Sequence, residues 1–97
     1  MEINSLIIEL RKEINNKELF KFYLFGSVLF SDRPNDIDIL VVYKKNYSLK
    51  CVIDLRNKIE DIVFSIYNIP ADVVLLSEYE ALNNTFIADE KCILLNV

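Results

Sequence analysis

The chain has 97 residues, 53% of them hydrophobic, with 15 acidic side chains against 11 basic ones and a net charge of −4. That length fits one small domain over residues 1–97 with no second core; the apolar content excludes a disordered chain, and the charge argues against a broad basic surface for nucleic acid. With no histidine present, Ser-His-Asp or Cys-His catalysis and His-ligated zinc are excluded within this chain.

Ile3, Leu6, Ile7, Leu10 and Ile14 recur at helical spacing with charged residues largely between them, which predicts an amphipathic helix ending near Asn15-Asn16. Residues 19–25, LFKFYLF, read as a central strand. The strand ends at Gly26-Ser27. Gly26 is the single glycine of the chain, and its place at a strand end signals a backbone demand, either positive φ or close approach to a ligand. Residues 28–35 form a loop or short helical turn with Pro34-Asn35 as the turn signal, and residues 36–43, DIDILVVY, form a second strand. Lys44, Lys45 and Asn46 break it.

Val52, Leu55, Ile59, Ile62, Val63 and Ile66 then share one face of a long helix, with Ser48 as its N-cap. Pro70 separates that helix from a third strand, residues 71–77, ADVVLLS. Residues 78–88 predict a short helix and residues 91–95, KCILL, a closing strand. The order implies an α/β (α+β) fold: a small mixed β-sheet with helices packed on one face, the long helix crossing over between the second and third strands. Cys51 and Cys92 have mostly apolar neighbours and read as buried thiols in a reducing compartment. The apolar run from Leu19 to Phe30 is interrupted by Lys21 and is too short to span a bilayer, so the expectation is a soluble cytoplasmic protein.

The chemistry centres on three aspartates. Alternate side chains of a strand share a face, so Asp36 and Asp38 project together where the second strand emerges from its turn. Such a pair raises its own pKa values unless a cation lies between, which suits a hard metal bound with substrate phosphates. By itself Asp-x-Asp is more often a turn cap. Asp72 has the same character at the head of the third strand; alone it is a strand-entry residue, but beside Asp36 and Asp38 it would complete a site for one or two metal ions. Gly26-Ser27 offers backbone N–H groups and a hydroxyl to a phosphate. Arg33, the one base in the 28–35 loop, either reaches a phosphate or is simply solvated.

The stretch from Phe22 to Tyr43, FYLFGSVLFSDRPNDIDILVVY, followed by ADVVLLS, resembles the DNA polymerase β-type nucleotidyltransferase superfamily, most closely its small stand-alone branch, the minimal nucleotidyltransferases. The resemblance implies that Gly26 and Ser27 bind nucleotide phosphates. It implies that Asp36, Asp38 and Asp72 are catalytic and bind Mg²⁺ or Mn²⁺, with Asp72 able to activate the attacking hydroxyl. The reaction implied is transfer of a nucleoside monophosphate, AMP from ATP, to a hydroxyl acceptor. Two features depart from the family pattern: the loop before the carboxylate pair is shorter and lacks glycine, and Asn35 stands where a serine commonly precedes the first acid. Members of this branch are often partnered with HEPN proteins in toxin–antitoxin modules. The alternative function is therefore an antitoxin, inactive or weakly active, that neutralises a HEPN-type toxin by contact. A carboxylate nuclease or phospho-acceptor receiver fits less well, since receivers need more alternating strands and helices. Tyr47, Tyr67, Tyr79 and Phe86 have no assigned role in the core and are candidates for a contact patch, in a homodimer or with such a partner.

Overall fold

The computed structural model describes residues 2–14, 17–44 and 47–97. Helix α1 (Asn4–Glu13) buries Leu6 and Leu10 completely. Its predicted end at Asn15-Asn16, and the break at Lys45-Asn46, lie outside the described residues. Strand β1 (Phe20–Phe25) runs into a 3₁₀ turn, Gly26–Leu29. Strand β2 (Ile37–Tyr43) follows, then helix α2 (Leu49–Tyr67) and strand β3 (Ala71–Ser77). Two short helices, α3 (Glu78–Leu82) and α4 (Phe86–Asp89), divide the segment that the sequence suggests as one, and β4 (Ile93–Leu95) closes the sheet.

The sheet order is β3-β2-β1-β4. β1 pairs antiparallel with β2 and β4, whereas β2 and β3 are parallel, so the sheet is mixed. The parallel pair needs a crossover, and α2 supplies it. α2 places Val52, Leu55, Ile59 and Val63 on its buried face, as its spacing predicts. These join Leu6 and Leu10 of α1 and Phe22, Leu24, Ile37, Ile39 and Val41 of the sheet in the main core. Burial of each such side chain contributes about 1.5–3 kcal/mol. Ser48 stands at the N-cap position of α2, but its hydroxyl makes no capping hydrogen bond; its carbonyl accepts from Val52 N at 3.1 Å.

The two long helices cover one face of the sheet. On the other, Phe25, Leu40 and Val42 form a second cluster with Tyr23, Val74, Leu76, Ala81, Phe86, Ile87 and Cys92. The short helices cover this face only in part, and Asp38 and Asp72 belong to it by strand parity. α3 is held by a reciprocal capping box between Ser77 and Glu80. Cys92 is half-buried in the second cluster, but Cys51 is exposed. The expectation of a buried Cys51 fails because it precedes Val52 on α2, one position round toward solvent.

Of the four aromatics singled out as contact candidates, three are half-buried. Tyr47 packs edge-on to Phe20, with ring centroids 4.9 Å apart. Phe86 packs edge-on to Phe25 at 5.1 Å, and Tyr67 donates a hydrogen bond from its hydroxyl to Glu2 O at 2.6 Å. Tyr79 is the exposed one. Among the described residues, no helix is long and apolar enough to cross a membrane.

Candidate active site

All five residues singled out from the sequence fall at one end of the sheet. β2 and β3 run parallel with Asp38 opposite Asp72. Their starts are tied together by a hydrogen bond from Ile37 N to Pro70 O, 3.0 Å long. That bond makes the alignment a consequence of the chain's own turns: the peptide before β2 is locked to the peptide before β3, so both polar heads emerge level. Ile37 is fully buried in the main core, which turns its neighbours Asp36 and Asp38 to the opposite side. One carboxylate oxygen from each of Asp36, Asp38 and Asp72 lies within 4.8 Å of the others. Asp36 and Asp38 are half-buried and Asp72 is exposed.

Gly26 abuts this cluster from the neighbouring strand, at the end of β1, where Phe25 is paired with Asp38. Its φ is +77°, in the region glycine tolerates and other residues avoid. A Cβ there would overlap Asp38 Oδ2 and lie 3.0 Å from its Cγ. The positive φ inferred from the lone glycine is thus present, and the close neighbour of its backbone within the chain is the Asp38 carboxylate. Ser27, the second residue of the 3₁₀ turn, is exposed to solvent, and its carbonyl accepts from Phe30 N and Ser31 N at 3.0 and 2.9 Å. Arg33 is exposed in the following loop and its N–H donates to Ser31 Oγ at 3.1 Å. Pro34 is buried and anchors that loop.

The electrostatics of the cluster follow from its geometry. Burial pushes the Asp38 carboxyl above its ordinary range, and the charges of Asp36, Asp72 and Glu90 push it further. None of the three aspartates has a lysine or arginine ion pair among the described residues. Three converging carboxylates without a basic partner form an arrangement that a divalent cation would relieve. The oxygen-only donor set fits Mg²⁺ or Mn²⁺ rather than a thiophilic metal. Glu90, at the end of α4, is a fourth acid near the site that sequence reasoning missed. Its only sequence signal is a place in the charged run 89–91, and that run carries no motif.

A nucleotidyltransferase-like core with an acidic triad at a strand edge beside a Gly-Ser turn defines the class of protein. The family model described as "Polymerase beta, Nucleotidyltransferase" matches residues 7–96, and the chain belongs to that family. Two solved structures share the fold. One is a crystal structure of a mutant MntA–HpeT toxin–antitoxin, 24% identical over 98% of this chain and 72% of that one, with a TM-score of 0.58. The other is a crystal structure of a toxin–antitoxin with AMP-PNP, 25% identical over 93% of this chain and 66% of that one, with a TM-score of 0.55. The comparison with curated proteins gave no match.

Proposed function

We propose that this chain is a metal-dependent nucleotidyltransferase of the minimal, antitoxin-associated type, moving AMP from ATP to a hydroxyl on a HEPN-type toxin in the cytoplasm. The observation that carries the reading is the convergence of Asp36, Asp38 and Asp72 beside Gly26-Ser27, in a chain that belongs to the polymerase β nucleotidyltransferase family. The AMP-PNP in one structural neighbour supports an adenine nucleotide as donor.

In this reading Asp36, Asp38 and Asp72 would hold Mg²⁺ or Mn²⁺, which neutralises phosphate charge and polarises the α-phosphoryl group. The Gly26 and Ser27 N–H groups and the Ser27 hydroxyl donate to the phosphates, which fixes the donor in line with the acceptor. A bond forms between the acceptor oxygen and the α-phosphorus as the bond to the bridging oxygen of the β-phosphate breaks. Pyrophosphate leaves, and the acceptor proton passes to the Asp72 carboxylate. Asp72 suits that task because it is the most exposed of the three acids and stands farthest along the sheet from the Gly-Ser turn.

The test is transfer of label from α-labelled ATP, with Mg²⁺, to the product of the adjacent gene. The wild type transfers label, and the Asp36→Asn/Asp38→Asn double variant does not. Equal Mg·ATP affinity in both, by calorimetry, removes the metal site from the proposal. A second reading is equally consistent with the structural neighbours, both of which are toxin–antitoxin structures: neutralisation by contact alone. In that case the double variant protects cells from the toxin as well as the wild type does.

A further inference from the structure

A triphosphate brings several negative charges to an edge of the sheet already crowded with carboxylates. The metal offsets part of this charge, and phosphoryl-transfer sites commonly add a basic side chain against the terminal phosphates. We propose that Lys91, in the turn between α4 and β4, binds the terminal phosphates of the nucleotide and the pyrophosphate that leaves. The inference rests on the reading of the site as one for a nucleoside triphosphate.

The placement follows from the sheet. β1 and β4 are antiparallel, with Phe22, Tyr23 and Leu24 opposite Leu95, Leu94 and Ile93. Continuing that register sets Cys92 level with Phe25, with which it shares the second cluster, and Lys91 level with Gly26. The register sets Asp72, Asp38, Phe25 and Cys92 in one row across the sheet, and Gly26 and Lys91 stand side by side one residue beyond it. Lys91 lies on the far side of the Gly-Ser turn from Asp72. If the acceptor approaches at Asp72, the leaving pyrophosphate lies toward Lys91, as an in-line displacement requires. Glu90, the preceding residue, is close enough for its charge to act on Asp38, so the turn belongs to the neighbourhood of the triad.

The turn also fixes the residue. Lys91 N donates to Ala88 O at 3.2 Å and Cys92 N to Ile87 O at 3.0 Å, the paired bonds of a helix end closed by a left-handed residue. Lys91 is that residue, with φ +52°, at a position where glycine is usual. Its side chain is exposed and makes no hydrogen bond or ion pair among the described residues. The ammonium is thus free to meet a ligand while its backbone is anchored. Arg33 is the other base near the Gly-Ser turn, and it lies in the 28–35 loop beyond it.

Lys91→Gly separates the two roles of this position, because glycine suits the backbone and removes only the ammonium. Affinities for Mg·ATP and for AMP are measured by calorimetry, with melting temperature alongside. We expect Lys91→Gly to lose about tenfold or more in Mg·ATP affinity, the scale of a charge-assisted hydrogen bond. AMP affinity and melting temperature should not fall, and Lys91→Arg should recover most of the loss. Undiminished Mg·ATP affinity in Lys91→Gly, or an equal loss for AMP, overturns the assignment. So does a loss in Arg33→Gln with none in Lys91→Gly. A wild type that binds no Mg·ATP at all overturns the underlying reading as well, which distinguishes the two failures.

Discussion

Asp38 and Gly26 make one structural unit. The space a Cβ would need at position 26 is filled by the Asp38 carboxylate, so the strand pairing that buries Asp38 depends on the missing side chain. Gly26→Ala should destabilise by about 1–2 kcal/mol from the left-handed backbone alone, and by more from the overlap. The second contribution disappears when Asp38→Ala is already present. Urea denaturation of the four proteins in this double-mutant cycle gives the coupling directly; strict additivity would mean that the close approach has no energetic consequence. Asp38 also carries a pH signature. Burial first, then Asp36, Asp72 and Glu90, hold its folded pKa above the ordinary value. The native state therefore binds that proton more tightly than the unfolded chain does. The resulting stability is fully present below the unfolded pKa and is lost as pH rises through the raised folded pKa. In the absence of metal, Asp38→Asn should melt higher than the wild type at neutral pH, and the gap should close in acid. A gap independent of pH, measured in chelator, would show that the carboxylate is not strained in the folded chain. Mg²⁺ with ATP should reverse the order, since only the wild type gains from the ligand.

At the level of elements, the strand heads decide the chemistry. The bond from Ile37 N to Pro70 O fixes where β2 and β3 begin, and from there parity alone brings Asp38 beside Asp72. This much was legible from sequence, because two apolar strands each headed by aspartate permit few other pairings once a long helix must cross between them. The chain after Ser77 was less legible. Short helices such as α3 and α4 carry too few turns for a periodic signal, and β4, with three residues, is too short to show alternation. As a result Glu90 escaped notice, although its charge reaches Asp38. Cys51 was misjudged for a related reason: its neighbours are apolar, but helical position rather than local composition decides what is buried. If Asp72 accepts the acceptor's proton, it acts mainly in the transition state. Asp72→Asn should then leave the fold and most of the Mg·ATP affinity intact while lowering transfer by about a hundredfold or more. An equal loss in binding and in transfer would instead make Asp72 chiefly a metal ligand.

For the molecule as a whole, the distribution of exposed apolar side chains bears on whether it works alone. Phe30 is 82% exposed and follows the Gly26–Leu29 turn directly, its own N–H bonded to Ser27 O. A large aromatic so placed contributes little to the core, yet it stands at the rim of the proposed site. A protein acceptor whose surface extends from Asp72 over the strand ends to the Gly-Ser turn would cover Phe30, and buried aromatics are characteristic anchors of interfaces. Phe30→Ser should therefore leave melting temperature and Mg·ATP affinity near those of the wild type while weakening complex formation with the proposed toxin partner, by about 2 kcal/mol or more if Phe30 is such an anchor. Transfer to the toxin should fall with it. Compared with the Asp36→Asn/Asp38→Asn variant, this separates the two functional readings. An enzyme loses protection against the toxin in both variants. A contact antitoxin loses it only when Phe30 is changed. If Phe30→Ser binds and modifies the toxin as the wild type does, the partner approaches by another surface, for which exposed Tyr79 and Leu82 of α3 are the next to be changed. A chain that forms homodimers and captures no neighbour would remove the toxin from the account while leaving the acidic site to be explained by another acceptor.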